Sequence, residues 1–172
     1  MKRNPTGISK TTTNQENALR PHTAHTTLFL ALAMLLTTLA PRAHAQNCSA
    51  ATVAGKWSLT LTGTLLLPTG PAPAAAVINA TLTPNGTVLG TEGRNVGGDY
   101  AHETFKGRYA VNANCTGITT VEFFEAGQLV RTSVLTIMFD DNSNEVRMVQ
   151  QSLTLPDGTQ VPVVITVEGR KY

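Results

Sequence analysis

Gly55-Lys56-Trp57-Ser58-Leu59-Thr60-Leu61-Thr62 alternates large apolar and small polar side chains with a period of two. That alternation marks a strand with one face in a core and the other in water. The apolar face continues through Leu65 and Leu67. Working outward, the same period returns as far as the C-terminus, and no stretch carries a 3.6-residue apolar stripe. Seven further runs cover 76–83, 87–92, 100–111, 115–124, 129–139, 145–155 and 160–168.

Most of the breaks between them are short. Pro84-Asn85-Gly86 reads as a hairpin turn in which Asn-Gly supplies the positive φ angles. Asn112 to Asn114, Glu125 to Gln128, Asp140 to Asn144 and Pro156-Asp157-Gly158 are similar reversals. Two breaks are longer. Pro68 to Pro73 is too rich in proline for a central strand, and Gly93 to Gly98 reads as a flexible link. Eight strands joined by short reversals predict antiparallel sequence neighbours. Closing the sheet removes its two free edges, and eight is a common closing number. The expected fold is all-β, a single eight-stranded antiparallel up-and-down β-barrel. The alternative is a β-sandwich that uses the two longer breaks as crossovers.

Ahead of the strands lies Leu28-Phe29-Leu30-Ala31-Leu32-Ala33-Met34-Leu35-Leu36-Thr37-Thr38-Leu39-Ala40, then Ala43-His44-Ala45 before Gln46. A weakly basic stretch, an apolar core and small residues at −3 and −1 predict a signal peptide over 1–45, cut between Ala45 and Gln46. The core is shorter than the roughly 20 apolar residues of a membrane span, so no stable span is expected after cleavage. The stretch before the core is long for a signal, so either translation starts downstream of Met1 or the extension is real. The expected location is secreted or periplasmic. The expected organisation is this signal, a short segment 46–54 carrying Cys48, and a barrel domain over 55–170.

Removing residues 1–45 from 172 leaves 127, enough for one domain with a core. Five of thirteen Lys/Arg and one of eleven Asp/Glu leave with the leader, so the net charge of the remainder is about −2. The basic pI therefore belongs to the leader, and no nucleic-acid partner is expected. In an exported chain the even pair Cys48 and Cys115 reads as a disulfide.

Cys48 followed by Gly55-Lys56-Trp57 at the head of the first strand resembles the opening of the calycins, the lipocalin and avidin group of ligand-binding barrels. The resemblance implies an indole under the closed end of the barrel, covered by an arginine near the last strand, here Arg170 stacked on Trp57. Gly98-Asp99-Tyr100 departs from the lipocalin turn, and one tryptophan is too few for an avidin-type biotin pocket. The glycine-punctuated strands also resemble allene-oxide-cyclase-like barrels, on pattern alone.

Chemistry-bearing residues are few. His102 shares a parity with Tyr100, Thr104, Lys106 and Arg108, a polar row that reads as solvent-facing. No nucleophile elbow, zinc motif or phosphate loop occurs. Oxygen ligands cluster at Asp140, Asp141, Asn142, Asn144 and Glu145, but without EF-hand spacing, and an acidic hairpin tip accounts for them. No metal and no cofactor is expected. Glu103 and Glu122 are the mid-strand carboxylates that a paired acid mechanism would need.

Arg131 continues the face of Ser133, Leu135, Ile137 and Phe139. It either reaches solvent at the barrel rim or turns inward, where it needs a carboxylate or an anionic ligand. Gln150, on the face of Val146 and Met148, poses the same question. The first functional reading is a barrel that binds a small, mainly apolar molecule, with Trp57, Tyr109, Phe123, Arg131 and Gln150 as ligand-binding candidates. The others are a small envelope enzyme of the barrel-cyclase or isomerase type, and a filled barrel that serves as a structural or interaction module.

Overall fold

The computed structural model describes residues 47–140 and 142–172. The signal segment 1–45 and the junction of Ala45 with Gln46 lie outside the described residues. Among the described residues, eight strands follow one four-residue helix: α1 (Ala50–Val53), β1 (Gly55–Leu67), β2 (Gly70–Leu82), β3 (Thr87–Val96), β4 (Asp99–Val111), β5 (Thr116–Glu125), β6 (Gln128–Asp140), β7 (Glu145–Thr154) and β8 (Val163–Lys171). Each strand pairs antiparallel with the next, and β8 pairs with β1. The barrel is closed, so neither a sandwich nor a crossover exists.

Most of both longer breaks is strand. Pro71 and Pro73 lie in β2, opposite Leu66 and Thr64 of β1. Prolines are tolerated there because β2 overhangs its other neighbour, whose pairing begins only at Ala74. The Gly97 amide donates to the Pro73 carbonyl at 2.8 Å, so the donor-less Pro73 nitrogen lies on that margin. The supposed link from Gly93 is likewise the continuation of β3 to Val96, and the turn is confined to Gly97 and Gly98, both at positive φ. In the β2–β3 turn only Gly86 takes a positive φ (81°). Asn85 uses its side-chain oxygen instead, accepting from the Thr87 amide at 3.2 Å.

Two bulges reset which side chains point inward. On β6, Phe123 faces Arg131 and Phe124 faces Leu129, which leaves Val130 as the extra residue. On β7, Val134 faces Ser152 and Leu135 faces Gln150, so Gln151 is extra. That is why Gln150 and Leu153, of opposite parity, are both buried.

One end of the barrel is shut by the segment ahead of β1. Cys48 and Cys115 form a disulfide with Cα atoms 4.8 Å apart, which ties that segment to the start of β5. Ser49 caps α1, accepting from the Thr52 amide at 3.2 Å while its own amide donates to Thr52 Oγ1 at 2.9 Å. The helix lays Val53 over Trp57, which is fully buried and donates its indole N–H to the Val53 carbonyl at 3.0 Å. Phe139 packs against the indole at 5.6 Å between centroids. Arg170 does not cover it. In the β1–β8 register Trp57 faces Lys171, which sends Arg170 outward to pair with Glu145. The Lys171 ammonium reaches the Thr52 carbonyl at 3.2 Å. Among the described residues no helix is long and apolar enough to cross a membrane.

Candidate functional site

The inner face of β2 reads Ala74, Ala76, Ile78, Ala80 and Leu82. Three alanines in that row are too small to reach the opposite wall, and on β3 the inward position Gly90 has no side chain at all. A Cβ at Gly90 would meet the Asn79 carbonyl at 2.0 Å and the Phe105 ring at 2.5 Å. Phe105 of β4 therefore packs directly over the β3 backbone. These small residues leave a cavity of about 370 Å3 inside the barrel. Its floor is Trp57, Tyr109, Phe139 and Val146, and aliphatic side chains from β1, β2, β6 and β8 form most of the wall. Leu67, Val96, Leu155 and Val161 border it at the opposite end, where the β1–β2, β3–β4 and β7–β8 connections lie.

All five candidate ligand-binding residues border this cavity. Trp57 and Tyr109 belong to its closed end. The Tyr109 hydroxyl lies 2.6 Å from the Thr83 carbonyl and 3.0 Å from that of Ala50, and burial raises its pKa. Phe123 sits 5.6 Å from Phe105 in the wall. Gln150 donates to Ser133 Oγ at 3.0 Å and to the Ser152 carbonyl at 3.1 Å.

Arg131 turns inward. Its guanidinium lies 3.9 Å over the Phe123 ring, Nη1 donates to Glu103 Oε2 and Nη2 to Glu92 Oε1. Arg94 donates through Nε to Glu103 Oε1 at 2.5 Å and holds Asp99 at 3.5 Å. Glu103 is thus held by both arginines. Glu92 is held by one, and its buried Oε2 accepts from no donor. The two carboxylates face each other directly in the β3–β4 register.

Their titration diverges accordingly. Burial pushes the Glu92 carboxyl up to about 7; Arg131 offsets only part of that, and the charge of Glu103 adds to it. Burial also works to raise Glu103, but the Arg94 hydrogen bond and the Arg131 charge outweigh it and hold the group below the usual carboxylate range. Burying charged groups is costly unless they pair, which explains why Glu92, Glu103, Arg94 and Arg131 converge on one wall.

Glu122, the other carboxylate considered for a pair with Glu103, lies on the outer face, as does His102. The partner of Glu103 is Glu92. At the acidic tip, Asp140 and Glu145 engage Arg147 at 3.3 and 3.7 Å. Asp141 lies outside the described residues. Sequence reading missed Glu92 and Arg94 because it ended the third strand at Glu92. Carrying the period of two from Val88 through Gly90, Glu92, Arg94 and Val96 would have placed both on the inner face.

No family model matches the chain, and no curated protein matches it. Among solved structures it is similar to EF1p2_mFAP2b bound to DFHBI, with a TM-score of 0.52 and 12% identity over 72% of this chain and 96% of that one. It is also similar to a redesigned β-barrel, mFAP1, bound to DFHBI, with a TM-score of 0.48 and 16% identity over 71% of this chain and 97% of that one. The likeness to EF1p2_mFAP2b is one of fold.

Proposed function

We propose that this protein is an extracytoplasmic, calycin-like barrel that holds a small, mainly apolar molecule in its cavity. One observation carries the reading: a space of about 370 Å3 closed at one end by Trp57 and α1. Small-molecule sites span about 300–1,000 Å3 and are mostly apolar with a few placed polar groups. An empty apolar cavity costs stability, so the alanines of β2 are better explained by an occupant than by packing. The same volume argues against a filled structural module. That EF1p2_mFAP2b, similar in fold, is bound to DFHBI supports the reading. Trp57 at the closed end supports the calycin comparison, while the outward Arg170 departs from it.

Native mass spectrometry of protein purified without denaturation tests the proposal. A mass above that of the processed chain, lost on extraction with organic solvent, is the expected result. Protein that carries no small molecule and takes up none from a lipid or metabolite extract would overturn it. Export rests on the leader at 1–45 and on the Cys48–Cys115 bridge, since disulfides persist in oxidising compartments. N-terminal analysis should begin at Gln46; retention of 28–40 would contradict export by this route.

A second reading, a small envelope enzyme of the barrel-cyclase or isomerase type, draws support from Glu92 and Glu103. Two neighbouring carboxyls with pKa values driven apart are a recurrent acid–base arrangement. Turnover of a bound molecule that is lost in Glu92→Gln while binding persists would favour the enzyme over the binder.

A further inference from the structure

Arg131 is the obvious anchor for an anionic ligand, yet each of its terminal nitrogens already donates to a carboxylate, Glu92 or Glu103. Arg94 is likewise committed to Glu103 and Asp99, with Glu125 at 3.9 Å. The polar wall therefore sets two guanidiniums against two buried carboxylates, Glu92 and Glu103, with the exposed Asp99 and Glu125 at its margin. Once Glu92 is ionised, the unmet valence on it is an acceptor: Glu92 borders the cavity, is 2% exposed, and leaves Oε2 without a partner. A buried acceptor without a partner is costly, and the residue directly opposite Glu92 in the β3–β4 pair, Glu103, is another carboxylate.

We propose that Glu92 selects the head group of the cavity ligand: an apolar body carrying a hydrogen-bond donor, O–H or N–H, in preference to a carboxylate or a purely accepting group. The inference rests on the reading of the cavity as a ligand site. A donor from the ligand would satisfy Oε2, and an acid head group there would meet the charge of Glu92. Hydroxyl and ammonium heads share this chemistry.

Four probes with one apolar body separate the cases: naphthalen-2-ol, 2-methoxynaphthalene, 2-naphthoate and (naphthalen-2-yl)methylammonium. They are titrated against the full processed protein at a pH about one unit above the Glu92 transition. Naphthol, the ammonium or both should bind about tenfold more tightly than the ether, the scale of a hydrogen bond to a charged acceptor, and naphthoate should bind most weakly. The stronger of the two donors identifies the head group. Glu92→Gln, which offers an N–H in place of the acceptor, should bring naphthol and ether within about twofold of each other. If that variant does not fold, the wild-type comparison decides alone. Equal binding of all four probes, or tightest binding of naphthoate, would overturn the inference while leaving the cavity a ligand site. Failure of every probe to bind would remove both.

Discussion

Glu92 and Glu103 face each other across β3 and β4, and a single guanidinium, that of Arg131 from β6, spans them both. Like charges directly opposite on a sheet repel, so the arrangement holds through the arginine that bridges it and the proton that Glu92 retains. The polar wall of the cavity is thus a balanced unit that joins three strands.

Stability should fall as pH rises from about 5 to about 8. Glu92 binds its proton more tightly in the fold than in the unfolded chain, where its pKa is near 4.5. Its contribution is therefore full below that value and is lost as pH passes through about 7. At about 1.4 kcal/mol per pH unit the full effect is about 3 kcal/mol. Glu103, shifted the other way, contributes above its unfolded pKa and loses that contribution only as pH falls below this window. Urea unfolding across the range checks the slope, and Glu92→Gln should flatten it. A flat wild-type profile would contradict the buried, proton-holding Glu92.

Arg131→Leu should cost about 3–5 kcal/mol, because it leaves the buried Glu92 without a partner and Glu103 with Arg94 alone. Equilibrium denaturation gives the number. Combining it with Glu92→Gln should recover part of the loss. Additive losses in the double variant would mean that the two groups do not share an interaction.

Much of the barrel is legible in the alternation of Trp57, Leu59 and Leu61 and in its repeats, because a half-buried strand must alternate. Legibility fails where the inner face is not apolar. On β3 the inward row is valine, glycine, glutamate, arginine, valine, so the period of two is present in geometry but invisible in hydropathy. Pro71 and Pro73 misled for a different reason: the rule against proline applies to ladder positions, and Pro73 faces a margin. Arg131 was undecidable from its own strand. Its inward position follows the parity of Ser133, Leu135 and Ile137, but what holds the charge there is Glu92, a residue 39 positions away. Arg170 failed because register, not proximity to the strand end, decides which side chain reaches Trp57.

Reducing the Cys48–Cys115 bridge, or replacing both cysteines with serine, should cost about 2–5 kcal/mol. The bridge closes a loop with a sequence separation of 67 and holds the segment that shuts the barrel. Thermal unfolding with and without reductant measures the loss, and non-reducing peptide mapping should recover the two peptides joined. An unchanged midpoint after verified reduction would contradict a stabilising role.

Trp57→Ala should destabilise by about 3–5 kcal/mol, the usual range for aromatic core truncation. The indole is fully buried and its N–H is satisfied by Val53. As the sole tryptophan it reports on itself. Native emission should lie to the blue of free indole and resist iodide, and both properties should vanish on unfolding. Red-shifted, quenchable emission from the folded protein would put the residue on the surface.

The central claim is that the space above Trp57 takes up a small apolar molecule. Calorimetric titration of naphthalen-2-ol into wild type and into Ala76→Phe tests it most directly, since Ala76 borders the cavity and a phenyl ring there would occupy it. One equivalent bound by wild type and none by the filled variant, with unchanged circular dichroism, is the predicted result. No binding to wild type, or equal binding to both proteins, would contradict it.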